Sequence, residues 1–210
     1  MFVPESRSWK ELFVYESNFI DPQPGYNGGS PGCPMFENHM NALNFVLSDG
    51  WELNHNTPLD IHRFLTRGIP FFEDKNSSGK YREVDVWIGH DLCPSPILLP
   101  NLMNEWYETT KTMMDSFIDK CGDETEARKI AWISHHMFET IHPFIDGNGR
   151  TGRLILAKVL HDLGHDPIIV KFDDRAEYYD AIQSFRDEFW TGKQFLRQFY
   201  LWTKGKVRTI

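Results

Sequence analysis

Apolar residues recur along most of this chain at helical spacing. Phe36, Met40, Leu43, Phe45 and Val46 follow a proline suited to a first turn, Pro34, and the run stops at Ser48-Asp49-Gly50, which predicts a short helix over 34–48. Leu59, Ile61, Phe64 and Leu65 repeat the pattern as far as Gly68-Ile69-Pro70. Pro94, Pro96 and Pro100 forbid a helix until Leu102, after which Leu102, Trp106, Thr109, Met113 and Phe117 trace one face. A helix over 124–141 has Ala127, Ile130, Ile133, Met137 and Ile141 in line. The next, over 150–163, spreads Leu154, Leu156, Val159, Leu160 and Leu163 too widely for a surface stripe and reads as central and buried. Arg175 to Phe185 and Gln194 to Trp202 complete the helical set. The strand signal is the stretch 81–89, where Val84, Val86 and Ile88 alternate with Glu83, Asp85 and Trp87. Residues 1–20 carry aromatics without a clear period, and 22–34 form a Gly/Pro loop. The predicted class is mainly α, a helical bundle with a small β-hairpin.

Composition narrows the possibilities. A chain of 210 residues, 40% apolar and 25% charged, fits one folded domain and neither a disordered nor a low-complexity chain. Its net charge of −8 opposes nonspecific attraction to nucleic acid or to an anionic membrane. No run reaches the ~18 apolar residues of a membrane span and the start lacks a signal-peptide plan, so a cytoplasmic protein is expected, with no nucleic acid and no membrane as partner. Cys33, Cys93 and Cys121 are odd in number and far apart, as reduced thiols are. The aromatic helix over 194–202 suits either the core, which is favoured, or a homodimer interface.

The chemistry concentrates between the two central helices, in His142-Pro143-Phe144-Ile145-Asp146-Gly147-Asn148-Gly149-Arg150-Thr151-Gly152-Arg153. Gly147 and Gly149 allow backbone angles closed to other residues, so successive amides can converge on a phosphate, and the following helix adds its N-terminal amides and positive dipole end. Arg150 and Arg153, three residues apart, can both reach a polyphosphate. Asp146 offers the oxygen ligand that Mg²⁺ prefers, and His142, with an ordinary pKa near ~6.5, can accept a proton from a hydroxyl. Singly, each has a bland explanation, as a turn, a surface ion pair or a structural histidine. Together they point to a nucleotide.

This segment resembles the Fic family signature H-x-F-x-[D/E]-G-N-G-R-x-x-R at every fixed position. The similarity extends to His62-Arg63-Phe64-Leu65, to Gly79-Lys80-Tyr81-Arg82 leading to Val86-Trp87-Ile88-Gly89, to Pro94 with Pro96, and to Arg175-Ala176-Glu177-Tyr178-Tyr179. The resemblance implies a Fic-type bundle over 33–205, after an extension over 1–32, and a protein adenylyltransferase with ATP as co-substrate. It implies that His142 deprotonates a Ser, Thr or Tyr hydroxyl of a target protein or of the chain itself. Asp146 would hold Mg²⁺, the 147–149 amides with Asn148 would line an anion hole, and Arg150 and Arg153 would grip the outer phosphates, with Thr151 and Gly152 in the same nucleotide-binding turn. The 81–89 strand is similar to the family's flap, whose edge aligns the target by main-chain pairing. Val86, Trp87, Ile88 and Gly89 would border the nucleotide, and Tyr178 and Tyr179 would lie near the adenine pocket, where Arg186 replaces the Asn of some relatives. Transfer of UMP, GMP or phosphocholine, removal of AMP by the same site, and an idle nucleotide-binding module stay open. Kinase chemistry fits the Gly147-Asn148-Gly149-Arg150 turn less well.

Many Fic proteins carry an inhibitory helix of pattern [S/T]-x-x-x-E-[G/N], whose Glu pairs with the second motif arginine. Cys33-Pro34-Met35-Phe36-Glu37-Asn38 matches it in part, so the resemblance implies a brake in the helix 33–48 with Glu37 paired to Arg153; a carboxylate in a first helical turn also needs no such partner. The histidines at 135, 136, 142, 161 and 165, with Asp146, Asp162 and Asp166, raise a metal-dependent phosphohydrolase of HD type as a weaker competitor.

Overall fold

The structure, a computed structural model, describes residues 8–21 and 30–190; the helix predicted over 194–202 lies outside them. Eight α-helices and one hairpin make up this part: α1 (Trp9–Ile20), α2 (Pro34–Val46), α3 (Thr57–Thr66), α4 (Pro70–Asp74), β1 (Trp87–Ile88), β2 (Asp91–Leu92), α5 (Leu99–Lys120), α6 (Glu124–Ile141), α7 (Asn148–Asp162) and α8 (Arg175–Trp190). Among the described helices none is long and apolar enough to cross a membrane.

The centre of the bundle is α7. Leu154, Ile155, Leu156, Ala157, Val159 and Leu160 are all fully buried, which covers every side of the helix and agrees with its predicted place. Lys158 on the same helix is buried too, with its ammonium donating to the Trp51 carbonyl and to Asp162 Oδ1. α6 packs along α7, and α5 lies on the far side of α6. The α5–α6 seam holds fully buried Trp106, whose Nε1 donates to the Ser134 carbonyl at 2.9 Å, beside a Thr110–Ser134 hydroxyl pair at 2.9 Å. α3 and α2 cover another side of α7, and α8 rests on α6.

Three expectations change. Residues 9–20 form a helix, α1, started by a capping box in which Ser8 and Glu11 exchange hydrogen bonds. Phe13 and Val14 of α1 belong to the main core. Pro100 stands in the first turn of α5, which begins at Leu99 rather than 102, because a first-turn proline lacks only an amide that has no helical partner. The hairpin is shorter than the alternation suggested: two residues per strand, Trp87 opposite Leu92 and Ile88 opposite Asp91, turning at Gly89-His90. Residues 81–86 are not a strand, since the Arg82 amide donates to the Pro143 carbonyl instead of to a neighbouring strand. Val84, in the leg before the strands, is 52% exposed and Trp87 63%.

Trp106 fills the seam on which α6, and through it the site, is aligned. Trp106→Ala is expected to lower unfolding stability by about 3–5 kcal/mol, read from urea denaturation.

Candidate active site

The turn between α6 and α7 opens and closes with left-handed residues. His142 caps α6 with φ 51° and ψ 61°, and Gly147 caps α7 with φ 79°. A non-glycine residue in that region costs energy, so the turn must be held from outside. Asn148 closes it: its side-chain oxygen accepts from the Phe144 amide and its amide donates to the Phe144 carbonyl, both at 2.9 Å. His62 of α3 braces it from below. The Gly79 amide donates to His62 Nδ1 at 2.9 Å, which leaves the proton on Nε2 to be donated to the Asp146 carbonyl at 3.0 Å. The His62 ring stacks on Phe144 at 3.9 Å.

Over this turn lies a cavity of about 150 Å³ walled by Asp21, His142, Ile145, Asp146, Gly147, Asn148 and Gly149. The α7 N-terminal amides belong to the same end of the helix. Arg150 and Arg153 are each only 2% exposed. Arg153 is fully engaged: Nε donates to Ser17 Oγ and Nη2 to the Ser17 carbonyl and Asp21 Oδ2, all at 2.8 Å, and Nη1 to the Tyr178 hydroxyl at 3.2 Å. Arg150 is not. Its Nη2 stands 3.8 Å from Asp146 Oδ1, and neither Nε nor Nη2 makes a hydrogen bond among the described residues. Burial pushes its pKa down, against the pull of Asp146 and Asp21.

The acid that neutralises Arg153 is therefore Asp21, at the end of α1, and not Glu37. Burial alone would raise the Asp21 carboxyl, but Arg153 and hydrogen bonds from Arg153 and Tyr179 outweigh it and hold it below its usual value. A Cβ on Gly149 would fall 2.0 Å from Asp21 Oδ2, so this glycine is what lets the carboxylate rest on the α7 N-terminus. Glu37 instead accepts from the Gly32 amide at 2.8 Å in an exposed first turn, and Cys33 caps without its side chain. The expected pair fails because α1, not α2, carries the acid to α7.

His142 lies on the cavity wall with Nδ1 3.3 Å from the Glu139 carbonyl; a proton donated there leaves Nε2 basic. Burial pulls the ring down to about 4, with the Glu139 carbonyl opposing and Arg186 and Arg82 assisting, so it is neutral at pH 7. Beneath it Glu139 is buried, one carboxyl oxygen 3.8 Å from Nδ1, and burial pushes its pKa up to about 8.

Other predicted site residues sit behind the cavity. The Thr151 hydroxyl donates to the Gly147 carbonyl at 2.8 Å, and Gly152 faces α6, where a Cβ would fall 2.1 Å from Glu139 Oε1. Tyr178 is buried with its hydroxyl between His135 Nε2, at 2.9 Å, and Arg153. Tyr179 donates towards Asp21 Oδ1 at 2.9 Å and the Ile20 carbonyl at 3.0 Å. Both tyrosines thus frame the Arg153–Asp21 pair. Val86 to Gly89 are not among the cavity walls. The side chains offered for an HD-type metal site do not converge: among the described residues no group of three or more His, Cys, Asp or Glu is placed to hold a metal. Ser17 and Asp21 were missed by sequence reasoning. Ser8-Trp9-Lys10-Glu11 was the signal for their helix.

A helical bundle that brings a glycine loop and a helix N-terminus to one cavity, with a buried guanidinium of unmade donors behind the Asp146 and Gly147 that wall it, is built for anions. The chain belongs to the Fic/DOC family, whose sequence profile matches residues 52–160. It is similar to the Protein adenylyltransferase Fic of Nematostella vectensis, 34% identical over 198 residues covering 86% of this chain and 45% of that protein. To the protein of the same name from Aedes aegypti it is 33% identical over 125 residues, 60% of this chain and 23% of that one. The chain thus spans less than half the length of these curated relatives. Two solved structures share its fold: a Fic domain containing signaling protein from Bacteroides thetaiotaomicron, with TM-score 0.68, 20% identity and 86% of this chain against 72% of that one, and Fic-1 from C. elegans, with TM-score 0.63, 23% identity and 85% against 56%.

His39, His62, His135, His136 and His142 all have pKa values lowered chiefly by burial, to about 3 for His62 and about 4 for His136 and His142. Unfolded, they titrate near ~6.5. Between those limits the unfolded chain binds more protons, so stability falls on acidification. Glu139, raised to about 8, acts in the opposite sense but is one group against five. The urea midpoint is expected to be lower at pH 5 than at pH 7, and the His142 ring to titrate near 4 by NMR.

Proposed function

We propose that this chain transfers AMP from ATP to a Ser, Thr or Tyr hydroxyl of a protein target. The observation that carries the reading is buried Arg150, with two donor groups unmade beside the α7 N-terminus and a neutral His142. A triphosphate supplies what that arrangement lacks. Its charges also draw the His142 pKa upward from about 4, toward the range where the ring can hold a proton.

In the proposed step the target hydroxyl oxygen attacks the α-phosphorus, its proton passes to His142 Nε2, and the bond to the β-phosphate oxygen breaks as pyrophosphate leaves. Arg150 and the α7 amides take up charge on the phosphates. The Asp146 carboxylate, 40% exposed on the cavity wall, fits Mg²⁺, a hard cation that takes most of its ligands from phosphate and water. Bound there, the ion would neutralise phosphate charge. The hairpin edge at Trp87–Ile88 offers main-chain groups to an extended target segment. Three free thiols support a cytoplasmic setting.

A brake belongs to this reading, and we place it at Asp21. Its carboxylate sits on Gly149 and on Arg153, where the outer phosphates of a nucleotide would otherwise bind.

Intact mass after incubation with ATP and Mg²⁺ tests both parts. Asp21→Gly is expected to gain AMP on itself at least tenfold faster than the unsubstituted chain, the double change with His142→Ala to gain none, and Glu37→Gly to behave like the unsubstituted chain. A gain of phosphate alone would replace AMP transfer by kinase chemistry, and no gain in Asp21→Gly would refute the brake.

A further inference from the structure

Arg82 takes no part in the transfer step above, yet it is buried and each of its three guanidinium nitrogens donates a hydrogen bond. Nε donates to the His142 carbonyl at 2.8 Å, Nη1 to the Val84 carbonyl at 2.9 Å and Nη2 to the Pro94 carbonyl at 2.6 Å. Its own amide donates to the Pro143 carbonyl at 2.9 Å. Two of these acceptors belong to the end of α6, at the base. The other two stand on opposite legs of the hairpin, just outside its strands. One planar guanidinium therefore closes the root of the hairpin and fastens it to the residue that carries the base.

The His142 carbonyl lies at the C-terminal end of α6, where carbonyls lack helical partners and a positive charge is favoured. His142 is also left-handed without being glycine. A conformation of that kind persists only when neighbours over-determine it, and Arg82 grips the consecutive carbonyls of His142 and Pro143. The hairpin has little of its own to hold it. Its strands are two residues long, its ladder is extended by one bond from the Cys93 amide to the Val86 carbonyl, and its Asp91 meets Gln183 in an exposed contact.

We infer that Arg82 is the positioning residue that couples the hairpin to His142, so that a hydroxyl carried on a segment along the hairpin meets Nε2 at a fixed distance. Lysine cannot replace it, because an ammonium offers its donors from one point and not from a fork spanning three carbonyls. The kinetic part of the test rests on the AMP-transfer reading; the exchange part does not.

Arg82→Met and Arg82→Lys of the full chain are compared by hydrogen–deuterium exchange at amides 85–93 and 144–147. Both substitutions are expected to speed exchange at least tenfold in the two segments together, while α5, α6 and α7 keep their protection. Acceleration in the hairpin alone, or in neither segment, overturns the inference, as does Arg82→Lys matching the unsubstituted chain. Loss of protection throughout α5–α7 in both variants also overturns it, assigning Arg82 to global stability. In an Asp21→Gly background, kcat for AMP transfer is expected to fall at least tenfold with ATP affinity within twofold, since Arg82 is not a cavity wall. A parallel loss of ATP affinity counts against it. Should Asp21→Gly alone transfer nothing, the transfer reading fails, and the exchange result decides Arg82 without it.

Discussion

Two guanidinium groups buried at one end of a central helix have to be answered with negative charge, and the architecture around α7 follows from how each is answered. An unpaired charge in such a place is costly, whereas a paired and fully hydrogen-bonded one is tolerated. Arg153 is answered from inside the chain, by Asp21 and Ser17 of α1 and the Tyr178 hydroxyl of α8. Arg150 meets Asp146 at 3.8 Å, and its Nε and Nη2 make no hydrogen bond among the described residues. The bundle thus closes one cationic site with its own carboxylate and leaves its neighbour three residues away incompletely satisfied. That asymmetry gives an anion a reason to enter.

The turn that presents these groups is braced from several elements at once. Asn148 closes it on itself, His62 supports it from α3, and Arg82 holds its first residue through the hairpin root. Each brace spends its side chain on the backbone of the turn. Asn148 illustrates this. Its side chain, expected to help line the anion hole, is fully occupied by Phe144, so the backbone around Gly147 and Gly149 faces the cavity while the side chain fixes its shape. Gly152 and Thr151 likewise turn toward α6 and the loop, and allow α7 to sit close enough for Arg153 to reach α1.

How much of this could be read from the sequence depended on whether the signal was local. α6 and α7 were legible because their apolar positions run in unbroken registers, and the turn between them because its residue types are rare in combination. α1 was not, because three of its inward-facing or terminal residues, Ser17, Asn18 and Asp21, are polar and interrupt the period a core helix would show. Those same residues reach the arginine and His39. The feature that hid the helix is the one that makes it matter. Glu37 was preferred because a partial pattern placed it in a first helical turn, but partnership with Arg153 is set by how α1 crosses α7, which no spacing within α2 encodes. The hairpin was overextended for a related reason: alternation at 81–86 records β-propensity, while the Arg82 amide had a long-range partner at Pro143.

In the proposed AMP transfer an internal carboxylate and an incoming triphosphate would compete for the same guanidinium on unequal terms. Asp21 is covalently attached and so acts at an effective concentration on the order of millimolar or above, but it brings one negative charge. A triphosphate would bring several and engage Arg150 as well, but would first have to displace a side chain that Tyr179 also holds. The strength of Asp21 as a competitor is therefore set less by the carboxylate than by what seats α1. Phe13 and Val14 fix its body in the core, Glu16 accepts from the Phe172 amide at 2.7 Å, and Tyr179 bonds its last carbonyl and the Asp21 side chain together. Of these, Tyr179 is the exposed one, 43% open to solvent, whereas the apolar contacts are sealed. The weakest part of the seating thus lies at the acid itself and not at the helix body. Displacement would then begin at the Asp21 side chain, while Ile20, packed with Tyr178 and Ile182, and the core that aligns α6 and α7 stay in place.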